Sequence, residues 1–338
     1  MIRLPTAMTA VVAAATALAA TFTLTPAHAE SIAVQSWGVT WDMGLRTIAD
    51  NFTKDTGIEV VAVPQSTSTE GLVKLQAMKN SPTIDVWFTT ASVATRAKQD
   101  QDLFLALDKA KLTNAPELIG GALEEYWAAA YYYPLSIIYR PDMVNTPITG
   151  WKDLWDSKFK GQIAAPSIEI YQARLLLVSA LINGGSVDNI DPGFKGLQDF
   201  APNVATWYKS DSDARKALSM GEVSVLIGPP ILARAVSDDG VAVKVLSPNP
   251  APVMFDVMML VNTPKQEASQ KFIDYVLSPE SQAIFAEGSE GPVNTAAKMA
   301  PDMAEAMPKQ EDQVNFDEAK INAQIEEWTT RFTREVVH

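Results

Sequence analysis

The chain has 338 residues, 47% of them hydrophobic, and a formal net charge of −13 at pH 7. This length is natural for two folded units, and the acidic charge argues against nucleic acid or an anionic membrane as a partner. The sequence holds no cysteine and only two histidines, His28 and His338. Residues 30–337 therefore cannot build a disulfide, a Ser-His-Asp or Cys-His catalytic centre, or a His- or Cys-ligated zinc site.

Residues 1–29 have the pattern of a secretory signal. Arg3 is followed by an apolar run over residues 7–24, and the segment ends in Ala27-His28-Ala29. A basic start, an apolar middle and an A-x-A end predict cleavage after Ala29, with a membrane anchor as the alternative. Removing Arg3 leaves 26 Lys+Arg against 40 Asp+Glu, a net charge of −14. The pattern predicts a soluble, exported protein.

The first third of the remaining chain alternates strands and helices. Residues 31–37 predict a strand, and residues 40–55 predict a helix with Ile48 and Phe52 on one face. Gly57 is a left-handed helix stop. Strands over 58–63 and 84–88 flank a helix over 69–79. This order at this spacing predicts an α/β unit with a parallel sheet.

The rest of the chain repeats this alternation and then becomes mainly helical. Predicted strands are 131–139, 161–165, 204–208, 223–227, 242–246 and 253–261. Predicted helices are 150–159, 171–182, 211–220, 231–236, 266–277, 279–287 and 316–331. Residues 248–252 read Pro-Asn-Pro-Ala-Pro, which is typical of a stiff connector.

Five segments resemble one protein family in their order along the chain. They are DTGIEV at 55–60, GWKDLW at 150–155 with Lys160-Gly161 after it, SMGEV at 219–223, FIDYVLSPESQ at 272–282 and PVN at 292–294. Together they are similar to periplasmic solute-binding proteins of ATP-driven importers, and most similar to the spermidine/putrescine-type branch. The resemblance covers nearly the whole chain after residue 29.

The resemblance implies a fold of two α/β lobes, the type II periplasmic-binding-protein fold, with a ligand cleft between lobes joined by crossover strands. It places the first lobe at 30–133 plus 254–300 and the second at 134–253 plus 301–338. The chain would cross near 133–139 and return near 252–257, beside the proline-rich connector. Ligands of open α/β sheets bind beyond the carboxyl ends of the strands.

The resemblance also implies ligand-binding residues in the first lobe. Asp256 interrupts an apolar strand, and it either receives a ligand amine, meets an internal partner or lies on a sheet edge. Trp37 ends the first strand and could stack on a ligand or simply pack. Thr90 matches a family hydroxyl or caps a helix, and Tyr133 lines the cleft or packs the crossover.

In the second lobe the sequence departs from the polyamine-binding pattern. Tyr171 stands where that branch has a glutamate, and Arg174 and Arg234 lie nearby. An arginine fork binds a carboxylate in two parallel hydrogen bonds, unless it forms a surface salt bridge. This combination predicts an ω-amino acid such as 4-aminobutyrate (GABA), with Asp256 on its ammonium. Trp207 follows another strand and is either a ligand contact or core.

The predicted function is therefore the periplasmic substrate-binding component of an ABC transporter, capturing a 4-aminobutyrate-like ω-amino acid or a polyamine by clamp closure. Its partners would be the small ligand and the permease subunits, with no nucleic acid, and the protein would be a monomer. No enzymatic activity, cofactor or metal is expected. The alternatives are a phosphonate or metal-complex ligand, a receptor for a membrane sensor, and a secreted enzyme that uses carboxylates alone.

Overall fold

A computed structural model describes Met1 and residues 30–337. The predicted signal, with His28, and the terminal His338 lie outside the described residues apart from Met1. Within the described part of the chain, none of the helices combines the length and apolar character needed to cross a membrane.

The strands form two separate sheets. In chain order they are β1 Ser31–Trp37, β2 Glu59–Gln65, β3 Val86–Thr90, β4 Phe104–Leu105, β5 Trp127–Pro134, β6 Ser136–Tyr139, β7 Ile163–Pro166, β8 Val204–Tyr208, β9 Val225–Gly228, β10 Lys244–Leu246, β11 Ala251–Val261 and β12 Gln313–Val314. The first sheet has the order β12-β11-β3-β1-β2, and β4 and β5 also pair with β11. The second has the order β10-β6-β9-β7-β8.

Helices pack on the faces of both sheets. They are α1 Gly38–Thr40, α2 Arg46–Thr56, α3 Ser68–Ala77, α4 Ala91–Ala97, α5 Arg174–Ile182, α6 Asp191–Phe200, α7 Asp211–Met220, α8 Pro230–Asp238, α9 Gln266–Val276, α10 Pro279–Glu287, α11 Pro301–Ala306 and α12 Glu318–Glu335. Helix α2 buries Ile48 and Phe52 against the first sheet, as their spacing predicts. It ends at Gly57, whose φ of 76° is readily adopted only by glycine.

Each sheet has its own hydrophobic core. One cluster surrounds the first sheet, and two others cover the two sides of the second sheet. We call the first sheet with its helices the first lobe and the second sheet with its helices the second lobe. Strand β5 ends at Pro134 and β6 begins at Ser136, so the chain crosses between the sheets within two residues. The mixed α/β architecture with two sheets confirms the predicted fold class.

The C-terminal segment is shared between the lobes. Strand β12 pairs with Ala251 and Pro252 at the start of β11, and Met307 packs in the core of the first lobe. Helix α12 instead buries Trp328 and Phe332 in the core of the second lobe. The predicted lobe boundaries stay a prediction, and for this segment we propose a division near residue 315 instead of residue 301.

Most predicted elements are present, and α7 and α10 have the predicted bounds. Two differ. The predicted helix 150–159 consists of two short 3₁₀ segments, Trp151–Trp155 and Ser157–Phe159. The predicted helix 171–182 begins only at Arg174, because residues 171–173 have left-handed backbone angles.

Candidate ligand-binding site

A cavity of about 670 Å³ lies between the two lobes. Its first-lobe wall includes Trp37, Thr40, Met43, Ser66, Thr67, Ser68, Thr90, Tyr131, Tyr133, Asp256 and Glu290. Its second-lobe wall includes Glu169, Ile170, Tyr171, Gln172, Asp211, Ser212, Arg215, Pro229, Ile231, Leu232 and Ala235. We call it the interlobe cavity.

The wall residues lie where parallel strands end. Trp37 and Thr90 are the last residues of β1 and β3, which run parallel in the first sheet. In the second sheet, Glu169 follows β7, Asp211 follows β8 and Pro229 follows β9. Both sheets therefore present their carboxyl ends to the cavity, the usual place for a ligand in an open α/β sheet.

Asp256 lies in the middle of the first sheet. It is 8% exposed and faces Thr90 of β3 on one side and Tyr131 of β5 on the other. The Tyr131 hydroxyl donates a 2.9 Å hydrogen bond to Asp256 Oδ2, and the Thr40 hydroxyl lies 3.0 Å from the Tyr131 hydroxyl. The sheet-edge alternative for Asp256 does not apply, because β11 has a neighbour on both sides.

Burial raises the pKa of Asp256 from 3.8 to about 7. The hydroxyls of Tyr131 and Tyr133 act in the opposite direction, and of the two only Tyr131 reaches ordinary hydrogen-bond geometry. Removal from water disfavours the ionised form of a carboxyl group, and a nearby positive charge would restore it. The carboxyl group is thus suited to bind a cation.

A second carboxylate, Glu290, lies beside Asp256. It is 4% exposed, and its pKa is raised well above the ordinary value by burial and by the charge of Asp256. Its segment is held to β5 by two hydrogen bonds between the backbones of Gly291 and Tyr132, of 2.7 and 2.8 Å. A Cβ at Gly291 would come within 2.4 Å of the Tyr132 ring, so this close approach requires glycine.

Each of these two carboxyl groups keeps one buried oxygen atom, Asp256 Oδ1 and Glu290 Oε2, that receives no hydrogen bond from the residues described. Leaving a buried acceptor without a partner costs about 1–3 kcal/mol and more for a charged group. A primary ammonium carries three N–H donors and one positive charge. It thus carries enough donors for both atoms, and its charge would offset the repulsion between the carboxylates.

Aromatic rings surround this carboxylate pair. Trp37 is half-buried and lines the cavity. The rings of Tyr133 and Tyr171 pack edge to face with their centroids 6.5 Å apart. This contact joins the two lobes across the cavity. Thr90 lines the cavity and also caps α4, where its hydroxyl accepts from the Val93 N–H at 3.4 Å. Both of its alternative roles are therefore compatible with its position.

The second-lobe wall carries both signs of charge. Glu169 pairs with Lys209 at 3.3 Å, and Asp211 accepts a hydrogen bond from the Tyr171 hydroxyl. Burial raises the pKa of Asp211, and that hydrogen bond acts against the rise. Arg215, on α7, is half-buried in the same wall and makes no ion pair with any residue in the described part of the chain.

Comparison with known proteins assigns this chain to a family. The family model described as bacterial extracellular solute-binding protein matches residues 47–309, which is more than half of the chain. The chain belongs to this family. It is a periplasmic solute-binding protein, as its relatives are.

The similarity extends over most of the chain. The spermidine/putrescine-binding periplasmic protein of Escherichia coli K12 is 25% identical over 275 residues, 76% of this chain and 77% of that protein. The gamma-aminobutyric acid-binding protein of Pseudomonas aeruginosa is 22% identical over 223 residues, 62% of each chain. The crystal structure of an ABC transporter protein from Clostridium perfringens superposes with a TM-score of 0.77 at 25% identity, covering 90% of this chain and 99% of that one. These relatives are binding proteins of transporters, not enzymes.

The structure brings together five of the residues that the sequence predicts for the site of this solute-binding protein. Trp37, Thr90, Tyr133, Tyr171 and Asp256 all line the interlobe cavity. Their roles in ligand binding stay predictions.

Three other predicted site residues do not line the cavity. Arg174 is fully buried and pairs with Glu318, so its guanidinium is already neutralised inside the second lobe. Arg234 is exposed and donates to the backbone carbonyl of Glu287 instead of entering the cavity. Trp207 packs edge to face on Phe332 in the core of the second lobe.

Sequence reasoning missed Glu290 and Arg215. Glu290 lies in a Gly-Ser-Glu-Gly loop with no periodic pattern, and only its position just before the PVN segment could have drawn attention to it. Arg215 could have been found, because it lies one helical turn after Asp211, which follows the end of β8. The arginine that lines the cavity therefore lies on α7, whereas the two arginines predicted from the sequence lie on α5 and α8.

Proposed function

We propose that this solute-binding protein captures a small amine-bearing solute and delivers it to an ABC permease. The observation that supports this is the pair of buried carboxyl groups, Asp256 and Glu290, each with an oxygen atom that has no partner among the described residues. The solute's ammonium would lie between them. Trp37 would add a cation–π contact, which contributes about 0.5–2 kcal/mol.

The far end of the solute would face the second lobe. Of the charged groups there, Glu169 and Asp211 already have Lys209 and Tyr171 as partners. Arg215 has no ion pair within the described ranges, so it is available for a carboxylate. An ω-amino acid such as 4-aminobutyrate carries both required groups, and one of the relatives is named for binding that compound.

A diamine is the second candidate. Among the described residues, the cavity wall contains four carboxylates, Glu169, Asp211, Asp256 and Glu290, against the single cation Arg215. Release of Tyr171 from Asp211 would free a second acceptor for an amine. The Escherichia coli relative is named for binding spermidine and putrescine.

The protein would act as a clamp. Ligand contacts from both lobes stabilise the closed form, and the permease binds that form. The protein would act as a monomer that binds its solute and releases it chemically unchanged. A receptor that signals to a membrane sensor would use the same closed form, and transport assays with the permease distinguish the two.

Titration calorimetry with 4-aminobutyrate and putrescine tests this proposal. Arg215→Gln should weaken 4-aminobutyrate binding about 10- to 100-fold, because a charge-assisted hydrogen bond contributes about 1.5–3 kcal/mol, and should leave putrescine binding unchanged. Asp256→Asn should weaken both ligands. Lys216→Gln, an exposed neighbour on α7, is the matched control and should change neither.

Each part of the proposal can fail separately. Unchanged 4-aminobutyrate affinity in Arg215→Gln would remove the carboxylate assignment and leave the ammonium site. Unchanged affinity for both ligands in Asp256→Asn would overturn the ammonium site itself.

A further inference from the structure

The segment that carries Tyr171 has an unusual backbone. Tyr171, Gln172 and Ala173 have φ angles of 55°, 47° and 59°, so three successive residues other than glycine are left-handed. This conformation crowds Cβ against the following carbonyl, and such residues normally occur singly. Surrounding contacts must hold the segment in place, and such strain is typical of functional sites.

Arg174 supplies one of these contacts. It is the first residue of α5, is 0% exposed and donates from Nη1 to the Gln172 carbonyl at 3.1 Å. Its Nη2 donates to the Glu318 carboxylate, and its guanidinium lies 5.4 Å from the centre of the Phe316 ring. One buried side chain thus fixes a carbonyl inside the left-handed segment and ties it to the start of α12.

The partner of Arg174 belongs to the segment that passes between the lobes. Glu318 is the first residue of α12, and β12, at Gln313–Val314, pairs with β11 in the first sheet. Residues 315–317 connect the two. The ion pair therefore links a wall of the interlobe cavity to a connection between the lobes.

Stability alone does not account for this ion pair. Arg174 Nε and Glu318 Oε2 are buried and have no hydrogen-bond partner among the residues described. A buried ion pair that is incompletely hydrogen-bonded is often no more stabilising than apolar residues of the same size. The ion pair is better explained by the backbone segment that it positions.

We propose that Arg174 is a positioning residue for ligand binding. With Glu318, it holds residues 171–173 in the left-handed conformation that places the Tyr171 ring in the interlobe cavity. It thereby couples the ligand-binding wall to the interlobe connection at 315–317. This inference rests on the proposed function of the cavity. The positioning role of Arg174 differs from the contact with a ligand carboxylate that the sequence predicts for it.

The test removes both charges together, because a single substitution would leave an unpaired buried charge. Arg174→Met with Glu318→Leu should weaken binding of 4-aminobutyrate or putrescine at least tenfold by calorimetry. In a Tyr171→Ala background, the same double substitution should cause less than a twofold further loss. A merely structural role would weaken binding equally in both backgrounds.

Asp85→Asn is the matched control. Asp85 is 2% exposed, accepts from the Ala33 N–H at 2.7 Å and from Thr263 at 2.6 Å, and precedes β3 at the end opposite Thr90. This variant should lower the melting temperature and keep ligand affinity within twofold. An affinity loss equal to that of the double variant would overturn the positioning role.

A second readout needs no ligand and so separates this inference from the proposed function. In the folded double variant, chymotrypsin should cleave after Tyr171 at least tenfold faster than in the wild type, as followed by mass spectrometry of the fragments. Asp85→Asn should not accelerate this cleavage. An unchanged cleavage rate in the double variant would overturn the inference, whether or not either ligand binds. Absence of binding by both 4-aminobutyrate and putrescine would contradict only the proposed ligands.

Discussion

Asp256 shows how one residue can place a binding site inside a sheet. Strand β11 is buried along its whole length, and the single charged residue in it faces the interlobe cavity. Tyr131 satisfies one carboxylate oxygen but donates no proton to the other. The ligand-free protein therefore carries a carboxyl group whose ionised form is poorly solvated.

This arrangement predicts that Asp256→Asn stabilises the ligand-free protein at high pH. The folded protein keeps the Asp256 proton up to about pH 7, whereas the unfolded chain releases it near pH 4. Since the unfolded state binds fewer protons between these values, stability falls as pH rises through that window, and the cost is complete above pH 7. The asparagine side chain of the variant cannot ionise and can still accept from Tyr131, so the variant lacks this cost.

Denaturant unfolding measures this effect. The gain in unfolding free energy from Asp256→Asn should be about 2–4 kcal/mol larger at pH 8 than at pH 4, since each pKa unit corresponds to 1.36 kcal/mol. Asp85→Asn removes a carboxylate that is fully hydrogen-bonded and should destabilise the protein at pH 8. Equal effects of Asp256→Asn at both pH values would contradict the prediction.

At the scale of elements, the loop after α10 carries a cavity residue and is held in place by one side chain of that helix. Gln282, fully buried on α10, donates to the carbonyls of Ala130 and Val276 at 2.7 and 2.8 Å. It accepts from the Val293 N–H at 2.7 Å. One side chain thus joins α10 and β5 to the loop that carries Glu290.

Gln282→Met, which keeps the shape but removes the hydrogen bonds, should lower both stability and affinity. Three buried backbone groups lose their partner at about 1–3 kcal/mol each, so the unfolding free energy should fall by about 3 kcal/mol or more. Affinity for an ammonium ligand should also fall, because Glu290 loses its support.

Gln270→Met is the control, because Gln270 is also buried and hydrogen-bonds to the backbone of Asp108 away from the cavity. Calorimetry and denaturant unfolding should show lost stability in both variants but lost affinity only in Gln282→Met. Lost stability without lost affinity in Gln282→Met would show that the loop needs no such support.

Local signals explain which elements could be predicted from the sequence. Helix α7 has its predicted bounds because Ser210 caps its start and Gly221, left-handed, ends it. No local signal marks the left-handed turn at 171–173, since its stabilising partner Glu318 is distant in sequence. The cavity position of Trp37 followed from the end of β1, and that of Asp256 from a charge within an apolar strand. The directions of Arg174 and Arg234 depend instead on helix packing that a single sequence does not encode locally.

At the scale of the whole molecule, several contacts among the described residues join the two lobes. The Tyr133 and Tyr171 rings touch across it. Ser92 of α4 donates to Asn322 of α12 at 2.7 Å, on the C-terminal connection. Arg234 of α8 donates to the Glu287 carbonyl at the end of α10. The last of these contacts lies at the rim, because Ile231 and Leu232 of α8 line the cavity.

The Arg234 contact should keep the clamp closed over its ligand. The guanidinium is exposed, so water screens the bond, and its loss should favour the open form only modestly. Arg234→Ala should therefore speed ligand dissociation about three- to tenfold, corresponding to about 0.7–1.4 kcal/mol, while the association rate stays close to that of the wild type. Stopped-flow measurement of both rates, with Arg334→Ala as an exposed-arginine control on α12, tests this role.

Small-angle scattering should show a smaller radius of gyration with saturating ligand in the wild type, because contacts from both lobes select the closed form. A wild-type protein that binds ligand without compaction would contradict clamp closure, and an unchanged dissociation rate in Arg234→Ala would show that closure depends on contacts inside the cavity alone.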